Sequence, residues 1–283
     1  MDLEVADNII GHIKQGIPIL YYIHDFSSIC NSIKLLYNDR EFCRAYENNW
    51  ERCLTCIHKE ERERIYSYHS KLFTKKNIRI ITPSENTRRI ISKAFDIAKE
   101  KITVIGHQKF DLAPKKDIKI NEKIRIAYVG YKDTIKGWEI FKNIVKDFKE
   151  DYEFYCLGMS DEVLDGVKYV DVSFIEDGSD AMINTIINYN IDVSLLWSLW
   201  PETYSYTYFE SFAGGAFVIT NELSGNIADQ VRKNKNGIVL KSYNELYDLL
   251  NNVQNLHNLI HNNKTIIKNI QPNEEFIDFI KNA

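Results

Sequence analysis

Residues 191–222, IDVSLLWSLWPETYSYTYFESFAGGAFVITNE, constrain the fold more than any other stretch of the chain. The apolar run Ile191 to Leu196 reads as a buried strand. Trp200-Pro201 ends it, and an amphipathic helix follows over Tyr204 to Ala213. Gly214-Gly215 stops that helix before a second apolar strand, Ala216 to Thr220. Strand, loop, helix and strand in about thirty residues make one βαβ unit, which commits the chain to a parallel sheet covered by helices. Ligands of such sheets sit at the carboxyl ends of strands, where a helix N-terminus turns its free amides outward.

Two carboxylates bracket this helix start, Glu202 and Glu210, with seven residues between them. Glu202 lies in the loop, and Glu210 lies inside the helix, roughly 7 Å beyond its start at 1.5 Å per residue. A diphosphate held by the amides near Ser205, Tyr206 and Thr207 would neutralise the helix dipole. A carboxylate one and a half turns farther on would accept hydrogen bonds from a ribose diol. On spacing alone, two solvated glutamates are the simpler reading. The whole block PETYSYTYFESFAGGAFVITNELSG, however, resembles the Glu-x7-Glu region of retaining GT-B glycosyltransferases of family 4. That resemblance implies a site for a nucleotide-diphosphate sugar, with Glu210 on the ribose and Glu202 on the sugar or its phosphate.

Other segments carry the same resemblance. A strand over Ile124 to Val129 leads to Gly130, a loop to Lys136-Gly137-Trp138 and a helix to about Asp147. The family's turn has Gly, then Arg, then Lys-Gly six and seven positions after the first Gly. Gly130, Lys136 and Gly137 keep that spacing, while Tyr131 stands where the Arg would be. Lys136 is then the point charge on the leaving diphosphate, with one cation fewer beside it. Without the resemblance it is a solvated lysine in a surface loop. Nearer the start, residues 3–15 have helical spacing with Gly16 as the stop, and Ile17 to Ile23 reads as a buried strand ending in His24-Asp25-Phe26. The phrase IPILYYIHDFSSIC resembles the His-Asp segment of the family's amino-terminal domain. It implies that His24 faces the donor sugar, with Asp25 beside it; a histidine bonded to backbone is the alternative. IITPSENTRRII and ITVIGH resemble the end of that domain and give His107 a hinge or backbone-bonding role.

Four cysteines, Cys30, Cys43, Cys53 and Cys56, follow the His-Asp segment with spacings x12, x9 and x2. Only the last pair has tight metal-ligand spacing, so two readings stay open: a closed structural zinc site, or free and redox-active thiols. Cys156, in YEFYCLG, is expected in the core. Residues 58–77 read as a helix with a core stripe of Ile65, Tyr68 and Leu72; Ile78 to Thr82 is a strand, and Ser84 caps the next helix. Later elements are a strand over Val167 to Phe174, with the loop IEDGSD beside the nucleobase, a helix capped by Ser224-Gly225 and ending at Lys233, a short strand over Gly237 to Leu240, and helices near 243–256 and 273–281.

Residues 108–122 break periodicity, contain Pro114 and are strongly charged, so they read as an interdomain linker. The expected organisation is an acceptor-side domain over 1–112 with the cysteine insertion, a donor-binding domain over 113–270 and a terminal crossover helix over 271–283. The fold expected is α/β of GT-B type with two Rossmann-like domains. The second is complete; the first is expected to be incomplete, since the chain opens on what would be a late helix and strand of it. The net charge of −4 over 283 residues argues against nucleic acid as a partner. No apolar run is long enough to span a membrane, and no secretory signal is evident, which points to the cytoplasm with peripheral membrane contact left open. The resemblance implies transfer of a sugar, with retention, to a hydroxyl of a glycan, lipid or protein acceptor, as in polysaccharide biosynthesis. Lys136 and the helix amides would replace a divalent metal in catalysis, so no cofactor is expected there. The alternatives are a nucleotide-sugar epimerase of the same fold and a non-catalytic nucleotide-sugar-binding module.

Overall fold

The computed structural model describes residues 11, 17–44, 47, 50–115, 121–159, 162–263 and 265–281. The helix expected over residues 3–15, with its Gly16 stop, falls outside them apart from position 11. Two compact units form: one runs to His107 and resumes at Pro272, and the other is Gln108–Gln271.

In the first unit, β1 (Ile19–Tyr22), β4 (Ile78–Thr82) and β5 (Ile102–Val104) make a parallel sheet in the order β1-β4-β5. A two-residue hairpin, β2 (Leu36–Tyr37) and β3 (Glu41–Phe42), lies between the first two of these strands in sequence. The strand expected to be buried over Ile17 to Ile23 is shorter, and all four residues of β1 are only half-buried. Its position explains this: among the described residues β1 is paired along one edge only, with Ile19 opposite Ile78 and Tyr22 opposite Ile81. In helix α1 (Lys59–Leu72), Leu72 is buried as expected, but Arg62 and His69 are its other buried residues, while Ile65 and Tyr68 of the expected stripe are half-buried. His69 can be buried because its Nδ1 bonds the Ile65 carbonyl at 2.8 Å and its Nε2 pairs with the Tyr21 hydroxyl at 2.9 Å. Helix α2 (Glu85–Phe95) starts as expected, with Oγ of Ser84 accepting from the Thr87 amide at 3.2 Å.

The second unit holds β6 (Gln108–Pro114), β7 (Arg125–Val129), α3 (Trp138–Phe148), β8 (Glu153–Leu157), β9 (Val167–Val170), α4 (Phe174–Asp177), α5 (Ala181–Asn188), β10 (Val193–Leu196), α6 (Tyr206–Ala213), β11 (Phe217–Asn221), α7 (Asn226–Asn234), β12 (Gly237–Leu240), α8 (Tyr243–Asn251), α9 (Val253–His261) and β13 (Thr265–Pro272, its last residue counted with the first unit). Six of these strands form one all-parallel sheet in the order β12-β11-β10-β7-β8-β9. The chain therefore starts in the middle, builds outward to one edge, returns to the middle and builds outward to the other. Alternate residues of β7 serve opposite faces, as a pleated strand requires. Ile126 and Tyr128 join Trp138, Phe141, Leu246 and Leu256 under α3, α8 and α9, while Ala127 and Val129 join Ile186, Phe209, Phe212 and Val231 under α5, α6 and α7. Cys156 is fully buried in the first of these layers.

Three expectations about the flanks are corrected. The linker over 108–122 begins as a strand: β6 pairs with β13, an element that its own sequence did not announce. On this two-stranded sheet β6 mostly alternates half-buried and exposed residues, and β13 buries Ile267 but exposes half of its residues with no regular alternation, so the apolar period is weak. The helix near 243–256 is two helices. Asn252 leaves the helical region, and its side chain accepts from the Asn255 amide at 3.0 Å, capping α9. The strand over Val167 to Phe174 stops at Val170, and Ser173 caps the short α4 instead. The last helix, α10 (Glu275–Lys281), belongs to the first unit, where the Asn273 amide donates to the His107 carbonyl at 2.9 Å. Among the described residues, no helix is long and apolar enough to cross a membrane.

Candidate functional site

In the second unit, β7 and β10 lie side by side, yet the chain leaving β7 moves to one half of the sheet and the chain leaving β10 to the other. Such a reversal opens a crevice beyond the carboxyl ends of the two strands, and helix starts converge on it. Gly130 ends β7 with φ +102°, a conformation that disfavours any side chain. Its turn abuts the start of α6, for a methyl group on Gly130 would stand 3.2 Å from Cγ2 of Thr207. The loop then passes through the turn Thr134–Lys136 to Gly137 and α3. The loop leaving β10 is fastened to it, with the Leu199 amide donating to the Ile135 carbonyl at 2.8 Å. On its other side the Asn226 amide donates to the Glu202 carbonyl at 2.9 Å. Gly225, with φ +61°, leaves room for this pairing, because a methyl group there would stand 2.6 Å from the Pro201 backbone.

Lys136, Glu202, Ser205 and Thr207 line one cavity of about 20 Å³ at this crevice. Its floor is made by the strand ends at Tyr128 and Leu196. Glu202 is 7% exposed, and Oε1 is one acceptor within reach of the Ser198 hydroxyl, at 3.3 Å. Ser205 caps α6, its Oγ accepting from the Tyr208 amide at 3.4 Å. The helix thus begins two residues later than Tyr204, and the amides of Tyr206 and Thr207 are those at its mouth. Chemically, a helix start, a lysine and a glycine turn converging on one point suit an oxyanion with more than one negative charge. Glu210 sits one turn into α6 and is half-buried; burial pushes its carboxyl up to about 7. It does not line the small cavity with Lys136. Tyr131 is 75% exposed directly after Gly130.

His24 and Asp25 belong to the first unit and follow β1. His24 is exposed, stacks on His107 with the rings 5.7 Å apart and 6° from parallel, and lies 4.5 Å from the Tyr22 ring. Burial and the neighbouring His24 hold His107 below the usual histidine range. Asp25 closes a local turn, with Oδ1 accepting from the Ser27 amide at 2.8 Å. Cys30, Cys43, Cys53 and Cys56, also in this unit, border one common cavity, although among the described residues no three His, Cys, Asp or Glu side chains already stand as a metal-ligand set.

Sequence reasoning missed the residues that hold Glu202 in place. Asn221 Nδ2 and Ser224 Oγ both donate to the Ser198 carbonyl, at 2.8 and 3.1 Å, and lock the loop between β10 and α6 to the end of β11. Both donors are buried, as Asn and Ser seldom are, and that burial shows only in the folded chain.

No family model matches the sequence, and no curated protein matches it. Solved structures match the fold. Sucrose-phosphate synthase from Thermosynechococcus elongatus aligns with a TM-score of 0.61 at 14% identity, over 99% of this chain and 69% of its own. WaaG, a glycosyltransferase involved in lipopolysaccharide biosynthesis, aligns with 0.53 at 14%, over 91% of this chain and 75% of its own. HepE from Anabaena, solved in complex with UDP-glucose, aligns with 0.54 at 13%, over 91% and 68%. At these identities the likeness is one of architecture: the chain has the α/β fold of the GT-B glycosyltransferases.

Proposed function

We propose that the second unit binds a nucleotide-diphosphate sugar and that the protein transfers the sugar to an acceptor hydroxyl with retention. One observation carries the reading: Lys136, the Glu202 loop and the start of α6 line one cavity at the switch point of a parallel sheet. The diphosphate would take the amides of Tyr206 and Thr207, with Lys136 stabilising the charge that develops on the leaving group. Glu210 would accept from the ribose diol, and Glu202 would hold the sugar. The sequence resemblance implies a catalytic role for His24 and Asp25 of the first unit as well. The uridine-type donor of HepE makes UDP and UDP-glucose the first ligands to try. Calorimetry should find UDP binding to the full chain, weakened about tenfold or more in Glu210→Ala and Lys136→Met, the loss expected when a charged hydrogen-bond partner goes. Unchanged affinity in both variants would remove this cavity from the function. The exposed Tyr131, in place of a cation, favours a second reading, a binding module without turnover. A labelled-donor assay separates the two, since that module binds donor but releases no sugar.

A further inference from the structure

We propose that Cys30, Cys43, Cys53 and Cys56 form a structural zinc site in the first unit. Four of the five cysteines of the chain come together here from separate pieces of backbone. Cys30 follows the turn after Asp25, Cys43 follows β3, and Cys53 and Cys56 bracket a single 3-10 turn whose Cys56 amide donates to the Cys53 carbonyl at 3.1 Å. All four border a cavity of about 10 Å³, room for one small atom or ion.

The charge around the cavity fits a metal–thiolate cluster better than four neutral thiols. Arg52, Lys59 and Arg62 border it, and among its described lining residues none is acidic. Arg52 is engaged by Glu41. Arg62 is 1% exposed, lies 3.8 Å over the Trp50 ring and donates to Sγ of Cys53. The Arg62 guanidinium bonds a thiolate more strongly than a neutral thiol, which is a weak acceptor. Four thiolates around Zn²⁺ carry a net charge of −2, which Arg62 and Lys59 balance. On binding, four S–H bonds break, four Zn–S bonds of about 2.3 Å form, and four protons leave to water. No electron moves, and the Arg62 bond to Cys53 becomes charge-assisted.

The backbone also calls for a cross-link. Between His24 and His58 the regular structure described is one two-residue hairpin and one 3-10 turn, and there is no glycine. Leu35, Asn38, Asp39 and Arg44 nevertheless have φ between 48° and 58°. Side chains keep such conformations where the surroundings over-determine them. A tetrahedral ion tying both ends of this segment together does so without a large core. The thiols now line the cavity without meeting at its centre, so coordination would draw them inward by closing it.

The test uses the full chain purified without chelator. Elemental analysis should find about one zinc per chain, and cobalt exchanged for it should give the absorption of a tetrahedral thiolate complex. Cys43→Ser and Cys56→Ser should lose the metal, and Cys156→Ser should keep it. If the serine variants fail to fold, the wild-type cobalt spectrum and thiol titration still decide: four thiols should react only after a chelator is added. Zinc far below one per chain, with thiol reactivity in the native protein unchanged by a chelator, would overturn the proposal. So would a mass lowered by disulfide formation in place of bound metal.

Discussion

A methyl group on Gly137 would stand 2.8 Å from Cβ of Trp197 and nearer still to the Trp197 carbonyl oxygen. The turn that carries Lys136 is thereby pressed against the loop that carries Glu202, and Gly137 adopts φ +88° to allow it. Gly137→Ala meets both the strain of that φ and a backbone clash that no rotamer relieves. Denaturant unfolding should show a loss of roughly 2–4 kcal/mol, the range of a forced backbone conformation combined with overpacking. Affinity for UDP should fall in the same variant. A midpoint equal to that of the wild type would mean that the two loops move independently.

Burial holds the Glu210 carboxyl at about 7, against an ordinary value of 4.5. Between those two pH values the folded protein keeps a proton that the unfolded chain has lost. Stability from this group is therefore highest at low pH, falls as pH rises from 4.5 to about 7, and levels off above. Glu210→Gln removes the cost. Unfolding at pH 8 should show a gain of up to roughly 3 kcal/mol over the wild type, and at pH 4 almost none. In the proposed site a ribose diol would donate to the ionised carboxylate, so nucleotide affinity of the wild type should rise between pH 6 and 8. A flat profile in both measurements would show that Glu210 is solvated in solution.

Most of the second unit was legible in the sequence because its central strands, β7, β8, β10 and β11, are buried on both faces and read as continuous apolar runs. Val193–Leu196 and Phe217–Asn221 fell within a residue or two of the expected strands, and Gly130, Lys136 and Gly137 kept the spacing of a βα turn. The strand Thr265–Pro272 did not show, since half of its residues are exposed on a two-stranded ribbon and carry no strong period. Helix α1 misled for a different reason. Its buried Arg62 and His69 look like surface residues until Trp50, Cys53 and Tyr21 supply their partners, and those partners come from outside the helix. Local patterns reveal elements; the polar contacts that fasten them depend on residues distant in the chain.

Asn221 offers a test of how Glu202 is held. It is 4% exposed, donates to the Ser198 carbonyl at 2.8 Å and accepts from the Leu223 amide at 2.7 Å. Asn221→Ala should lower stability by about 2 kcal/mol, two neutral hydrogen bonds at about 1 kcal/mol each. If the loop it fastens aims Glu202 at the sugar, turnover should drop more than donor affinity, since the proposed diphosphate site is built on α6 and Lys136. Equal losses in the two would assign Asn221 to folding alone.

The exposed Tyr131 leads to the last prediction. Its backbone is anchored, with the carbonyl accepting from the Tyr128 hydroxyl at 3.1 Å, and its side chain is 75% exposed beside the Gly130 turn. In the transferases that the sequence resembles, an arginine stands at this position. A guanidinium there would form a bidentate pair with a phosphate held at the α6 start, which a phenol cannot do. A hydrogen bond to a charged group contributes about 1.5–3 kcal/mol, so Tyr131→Arg should tighten UDP binding by roughly tenfold to a hundredfold. Tyr131→Gln, of similar reach but neutral, should leave affinity close to that of the wild type. The gain should shrink as salt is raised, because the position is exposed and screened. Equal effects of the arginine and glutamine variants would show that no diphosphate approaches this turn, and the donor site would then have to lie elsewhere in the unit.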